Sequence, residues 1–260
     1  MQIIVLGMHR SGTSALTGLL SRMGAHVGAP DELLPSDRDN PRGFFERLDA
    51  LAINREILRL AGCHWHQTAQ WHPPLIPSAL GKAMQRLINH LSHHPVWALK
   101  DPRLCLTLSC WKPFLNKPLV VIMYRDPLAI ASSLLQRNRM PPDYALALWE
   151  QHVVSALHAA APFARLHVDH AELMAMPQRI AAVLAEAAGL HASAQAIEFI
   201  EPSLVRARSD SSLSLSAHQQ HLCAILRGDA PYDPLLAVSE GSMQRLYTMG
   251  RNISGAPAGS

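Results

Sequence analysis

One junction near the amino terminus constrains this chain more than any other. Ile3-Ile4-Val5-Leu6 is a continuous apolar, mostly β-branched run that breaks at once into Gly7-Met8-His9-Arg10-Ser11-Gly12-Thr13-Ser14. A run without polar alternation suits a strand covered on both faces, as in a parallel sheet. After the loop, Ala15 to Met23 has helical apolar spacing and stops at Gly24, a natural residue just past a helix end. The order is strand, loop, helix. Successive backbone N–H groups of such a loop, with the helix N-terminus behind them, can cradle an anion. The plain alternative is a strand-to-helix turn that holds nothing.

The rest of the chain repeats the alternation. Trp97-Ala98-Leu99 leads into Lys100-Asp101-Pro102-Arg103, and Leu119 to Tyr124 leads into Arg125-Asp126-Pro127, so both read as buried strands ending in charge. A later strand is predicted over Ala164 to Val168. Helices are predicted over Leu48 to Leu60, Ser78 to His93, Leu128 to Arg137, Asp143 to Ala160 and Gln178 to Ala188. Asp126 is placed as the cap of the third, with Pro127 at its first position. Residues 25–47, with Pro30, Pro35, Asn40-Pro41 and Gly43, form an irregular excursion. The expected fold is therefore α/β, a three-layer doubly wound parallel sheet with ligands at the carboxyl ends of its strands. A length of 260 residues fits a single domain over 1–250, and the Gly/Ala/Pro/Ser composition of 251–260 predicts a flexible tail.

Charge and cysteine content narrow the partners. The net charge is +3 with no block of like charge, which fits an anion pocket and argues against a nucleic-acid face. Cys63, Cys105, Cys110 and Cys223 sit among apolar neighbours with no C-x-x-C spacing, as core thiols do in a reducing compartment. Met1 to Gly7 lacks the basic segment of a signal peptide and is too short to span a membrane. A cytoplasmic protein without an integral membrane segment is expected. Cys63, His64, His66 and His72 match no zinc spacing, so no metal is expected.

The first loop departs from the nucleoside-triphosphatase pattern G-x-x-x-x-G-K-[ST], because Thr13 stands where that pattern wants Lys. Its cation is Arg10. The strand ending at Tyr124 presents Arg125 where such enzymes use a magnesium-holding Asp. Phosphate binding without a triphosphate and magnesium site is the reading. Ser133 lies two helical turns beyond Asp126 on the same side, so Arg125 and Ser133 could grip a second phosphate. Otherwise Arg125 is a surface ion pair and Ser133 an ordinary helix hydroxyl.

Together these residues carry a resemblance to sulfotransferases that use 3′-phosphoadenosine 5′-phosphosulfate (PAPS). The loop His9-Arg10-Ser11-Gly12-Thr13-Ser14 resembles their 5′-phosphosulfate loop, and Arg125 with Ser133 resembles their 3′-phosphate motif. Asn40-Pro41-Arg42-Gly43-Phe44-Phe45-Glu46 and Leu99-Lys100-Asp101-Pro102-Arg103 are similar to stretches of bacterial and Golgi-type members. Val168-Asp169-His170-Ala171-Glu172-Leu173, followed by Pro177 and Gly189-Leu190, resembles a further family segment in altered order. The likeness spans about residues 1–208.

The resemblance implies a P-loop-like nucleotide-binding fold and transfer of a sulfuryl group from PAPS to a hydroxyl. Arg10, Ser11, Gly12, Thr13 and Ser14 would hold the 5′ side, and Arg125 and Ser133 the 3′-phosphate. Arg at position 10, where small-molecule enzymes carry Lys and use a His base, makes Glu46 the expected general base, with Arg10 and Lys100 as catalytic cations. His9 is the second candidate base. A capping role for Glu46 and a solvated strand-end role for Lys100 remain the plain alternatives. The expected acceptor is a carbohydrate or glycolipid hydroxyl, with Trp65 and Trp71 in residues 62–95 as a possible wall. Tyrosine or small-molecule hydroxyls, an ATP-dependent P-loop kinase, and a binding module without turnover are the alternatives. Arg206 and Arg208 are open between donor contact and surface charge, and the oligomeric state is not encoded.

Overall fold

The computed structural model describes residues 1–38, 40–204 and 213–250. The predicted opening forms as β1 (Gln2–Leu6), the loop, and α1 (Thr13–Arg22). Then come α2 (Leu48–Leu60), α3 (Ser78–Leu91), β2 (Trp97–Lys100) and α4 (Leu104–Trp111). β3 (Leu119–Tyr124), α5 (Pro127–Asn138), α6 (Pro142–Ala160) and β4 (Ala164–Asp169) complete the sheet. α7 (His170–Ala175), α8 (Pro177–Ala188), α9 (Ala194–Ile197), α10 (Ala217–Arg227) and α11 (Glu240–Gly250) follow.

The strands lie in the order β2-β1-β3-β4, all parallel. Because side chains alternate along a strand, the apolar run of β1 serves two cores. Ile3 and Val5, with Val121 and Met123, pack under α1, α8 and α9. Ile4 and Leu6, with Val120 and Ile122, pack under α2 to α6 and the C-terminal helices. The chain leaves β1 toward β2 and returns across it to β3, so the winding reverses between β1 and β3. The crevice of a doubly wound sheet opens at such a reversal, beyond the carboxyl ends of the strands. Residues 7–14 and 125–127 both emerge there.

Local chemistry sets the boundaries. The Asp126 carboxylate accepts from the Leu128 N–H at 3.0 Å with Pro127 at the first helical position of α5, and Gly189 ends α8 in the left-handed conformation. α3 stops at Leu91, two residues before the predicted His93, where Ser92 caps it. The one sign of α4 was Asp101-Pro102, readable as a helix start; its extent was not legible, since every residue but Ser109 is buried and a helix buried all round has no period to show. α10 did carry a signal, the capping box of Ser216 and Gln219. It and α11 are pinned by the wholly buried Glu150 of α6, which accepts from the Ser239 N–H at 2.6 Å, the Ser242 hydroxyl at 2.6 Å and Gln219 Nε2 at 3.2 Å. Cys63, Cys105 and Cys110 are buried free thiols, and Cys223 is half-buried. No described helix is long and apolar enough to cross a membrane.

Candidate active site

The loop after β1 is shaped by two left-handed residues, Arg10 (φ 72°) and Gly12 (φ 91°). Glycine suits the second because a Cβ there would collide with the His170 ring. At Arg10 the same conformation costs about 1–2 kcal/mol, and its neighbours hold it. Arg10 Nε donates to Ser133 Oγ at 2.8 Å, and Arg125 donates to the Arg10 carbonyl at 3.2 Å. The two predicted phosphate motifs are thus tied together across the β1–β3 crevice. Beneath the loop, the Gly7 N–H points at Cys105 Sγ, 3.2 Å away, and burial pushes that thiol up to about 12.

The catalytic candidates meet on the other side of the loop. Lys100, at the carboxyl end of β2, is fully buried and donates to Glu46 Oε1 at 2.7 Å and to Ser14 Oγ at 3.3 Å. Residues 40–46 bring Glu46 there through Gly43 (φ 96°) and Phe45 (φ 55°), while the Glu46 carbonyl accepts from the Leu34 N–H at 2.7 Å. The next residue, Arg47, anchors the excursion by pairing with Glu32 and Asp49, both at 2.8 Å. That hydrogen-bonded guanidinium holds the Glu32 carboxyl down to about 2. Arg103 lies 3.0 Å from Asp101 and 3.8 Å from Glu46 Oε2.

Arg10, Gly12, Thr13, Ser14, Glu46, Lys100, Arg125 and Ser133 line one cavity of about 310 Å³. Ser11 does not; it is buried under the loop against Cys105 and His152. The expected wall from residues 62–95 is corrected. Among the described residues none of that stretch lines the cavity: Trp65 and Trp71 pack against the core, and the Trp65 ring lies 4.2 Å from that of His9. The cavity is completed by Asn40, Arg42, Phe44, Gln136, Arg137, His170, Phe199 and Glu201. Arg137, which the sequence reading did not single out, lies one turn beyond Ser133 on α5. Nothing local marked Phe199 and Glu201, which Arg42 reaches by hydrogen bonds to the Phe199 carbonyl and the Glu201 carboxylate. Arg206 and Arg208 lie outside the described residues.

The site's histidines are held neutral. Burial, with lesser repulsion from Arg103 and Lys100, puts His9 well below its ordinary value. Burial brings His152 down to about 4, and burial together with Arg125 does the same to His170. An unfolded histidine protonates near 6.5. Between that pH and about 4 the unfolded chain binds protons that the folded one refuses. These histidines cost the fold nothing above pH 6.5 and destabilise it as pH falls below that, by up to about 1.4 kcal/mol per pH unit for each. Thermal melts should show a lower Tm at pH 5 than at pH 7, with a shallower drop in His152→Gln; equal Tm values would contradict the assignment.

Over residues 2–194 the sequence matches the family model described as the sulfotransferase family. No curated protein matches it. Two solved structures share the fold at low identity. The sulfotransferase domain from the Synechococcus PCC 7002 olefin synthase is 14% identical, with a TM-score of 0.51 over 96% of this chain and 94% of that one. The sulfotransferase domain from the curacin biosynthetic pathway is 12% identical, with a TM-score of 0.50 over 95% and 96%. The family match takes in both tied loops, the Glu46 and Lys100 segments and all four strands, and on that ground the chain belongs to the sulfotransferase family.

Proposed function

We propose that the protein transfers a sulfuryl group from PAPS to an acceptor hydroxyl on a carbohydrate or glycolipid, with Glu46 as general base. One observation carries this reading: a carboxylate, Glu46, and the cations Arg10, Lys100 and Arg125 border the same cavity at the ends of β1, β2 and β3. The residues fit the donor. Arg125 and Ser133 would hold the 3′-phosphate, and the first amides of α1, which have no intrahelical acceptor, the 5′ side. When bound, PAPS supplies the sulfuryl group and departs as the 3′,5′-bisphosphate.

Glu46 borders the cavity and its Oε2, among the described residues, accepts no hydrogen bond, which leaves the carboxylate a lone pair for the acceptor's proton. As the hydroxyl oxygen bonds to sulfur, its proton passes to Oε2 and the sulfur–oxygen bond to the phosphate breaks, its electron pair staying on the phosphate. Lys100 and Arg10 stand ready for that charge. Proton removal of this kind contributes roughly 10²–10⁴-fold. Asn40, Arg42, Gln136 and Glu201 offer the donors and acceptors a sugar would use. A small-molecule hydroxyl is the second reading, favoured by the origin of the two similar structures in a synthase and a biosynthetic pathway. The proposal includes a cytoplasmic location, supported by the free thiols.

The test is incubation with labelled PAPS and separate pools of glycans, tyrosine peptides and small alcohols or phenols. Label in glycans is expected. Label only in another pool rejects the sugar, and label in none rejects the transfer. The 3′,5′-bisphosphate should also raise Tm without added metal.

A further inference from the structure

Gly18 lies in the middle of α1, where the chain makes no turn and a glycine weakens the helix relative to alanine. What requires it there is space. The residue is buried, and a Cβ on it would overlap the tip of the Phe199 ring and stand 3.0 Å from that of Phe45. The two rings meet edge to face over this notch, with 5.8 Å between their centres. They arrive from distant parts of the chain. Phe45 belongs to the excursion that carries Glu46, and Phe199 follows α9. Arg42 fastens the pair, since its guanidinium lies 5.2 Å from the centre of the Phe199 ring and donates to the Phe199 carbonyl and to Glu201. Arg22, one turn beyond Gly18, approaches the same ring at 5.8 Å.

We propose that Gly18 is a positioning residue for Glu46: the notch it leaves on α1 holds the Phe45 and Phe199 rings, and Phe45 so held fixes the turn that aims Glu46 into the cavity. This rests on Glu46 being the base. Phe45 is left-handed (φ 55°), a conformation that a bulky residue keeps only where its surroundings impose it. The backbone on either side is hydrogen-bonded, the Phe44 carbonyl accepting from Ser14 Oγ at 3.2 Å and the Glu46 carbonyl from the Leu34 N–H at 2.7 Å. Neither bond fixes the Phe45 ring; the notch does. Were Phe45 to relax to an ordinary φ, the peptide joining it to Glu46 would turn and carry the carboxylate off Lys100. Neither Gly18 nor Phe45 borders the cavity, so both act on the reaction through what they place.

Alanine for glycine inside a helix ordinarily stabilises it, but Gly18→Ala is expected to lower Tm. In a Phe199→Leu background, where the tip of the ring is gone, the same change should no longer lower it; an equal drop in both backgrounds overturns the inference. With saturating labelled PAPS and the glycan pool, Gly18→Ala should transfer about tenfold more slowly, with affinity for the 3′,5′-bisphosphate near wild type. Added to Glu46→Gln, it should cost nothing further, because a misplaced base and an absent one fail at the same step. Losses that multiply overturn the inference, as does wild-type transfer in Gly18→Ala or a bisphosphate affinity that falls as far as the rate. If Gly18→Ala does not fold, Phe45→Leu takes its place in the cycle with Glu46→Gln, with the same expected and overturning results. If Glu46→Gln alone transfers at the wild-type rate, Glu46 is not the base, and the reading beneath this one fails instead.

Discussion

Glu46→Gln should lower kcat by about 10² or more while leaving affinity for the 3′,5′-bisphosphate near wild type. The amide keeps an oxygen that can accept from Lys100 and changes little volume, but it cannot take a proton. The side chain is buried against Lys100 at 2.7 Å, so the substitution leaves one buried cation without its counter-charge and some loss of Tm is expected. Steady-state kinetics at saturating donor, with calorimetry of the bisphosphate on the same sample, separates the two effects. A tenfold loss of bisphosphate affinity with kcat preserved would make Glu46 an anchor of the donor site and return the base to His9, whose neutral ring also borders the cavity.

The second large effect is expected at the other end of the cavity. A charge-assisted Arg contact is worth about 1.5–3 kcal/mol, so Arg125→Ala should weaken the 3′,5′-bisphosphate by roughly 10- to 10²-fold and change AMP, which lacks the 3′-phosphate, far less. Arg125 also donates to the Arg10 carbonyl, and its removal loosens the strained loop as well. Ser133→Ala separates these roles, because Ser133 touches Arg10 through its side chain and not through the loop's backbone. It should reduce the same discrimination by a smaller factor. If Arg125→Ala weakens bisphosphate and AMP equally, Arg125 serves the loop and the 3′-phosphate is held elsewhere, with Arg137 the nearest candidate on α5.

Much of the architecture was legible because it is written in local chemistry. An unbroken β-branched run can only be a strand covered on both faces, Asp126-Pro127 can hardly begin anything but a helix, and Gly189 ends one. The extent of α4 was hidden for the opposite reason, since burial on every side erases the period by which a helix is read. The expected phosphate motifs were legible only as spacing, and the structure brings their residues, Ser11 excepted, together at one cavity.

By itself, then, the sequence determined which segments end in cations and acids and that those ends gather at one edge of a parallel sheet. Only the tertiary structure decided which of them meet. Trp65 and Trp71 read equally well as ligand wall or core, and their packing against Leu58, Ala61, Cys63 and Leu106 chose the core. Lys100 finds Glu46 across 54 positions of sequence, and Arg42 finds Glu201 across 159. Such pairings depend on the relative placement of distant elements, and that placement is set by the summed burial of two apolar cores. Local pattern carries the identity of a side chain, its periodicity and its cap, but the charge it will face is known only once the chain has folded back on itself.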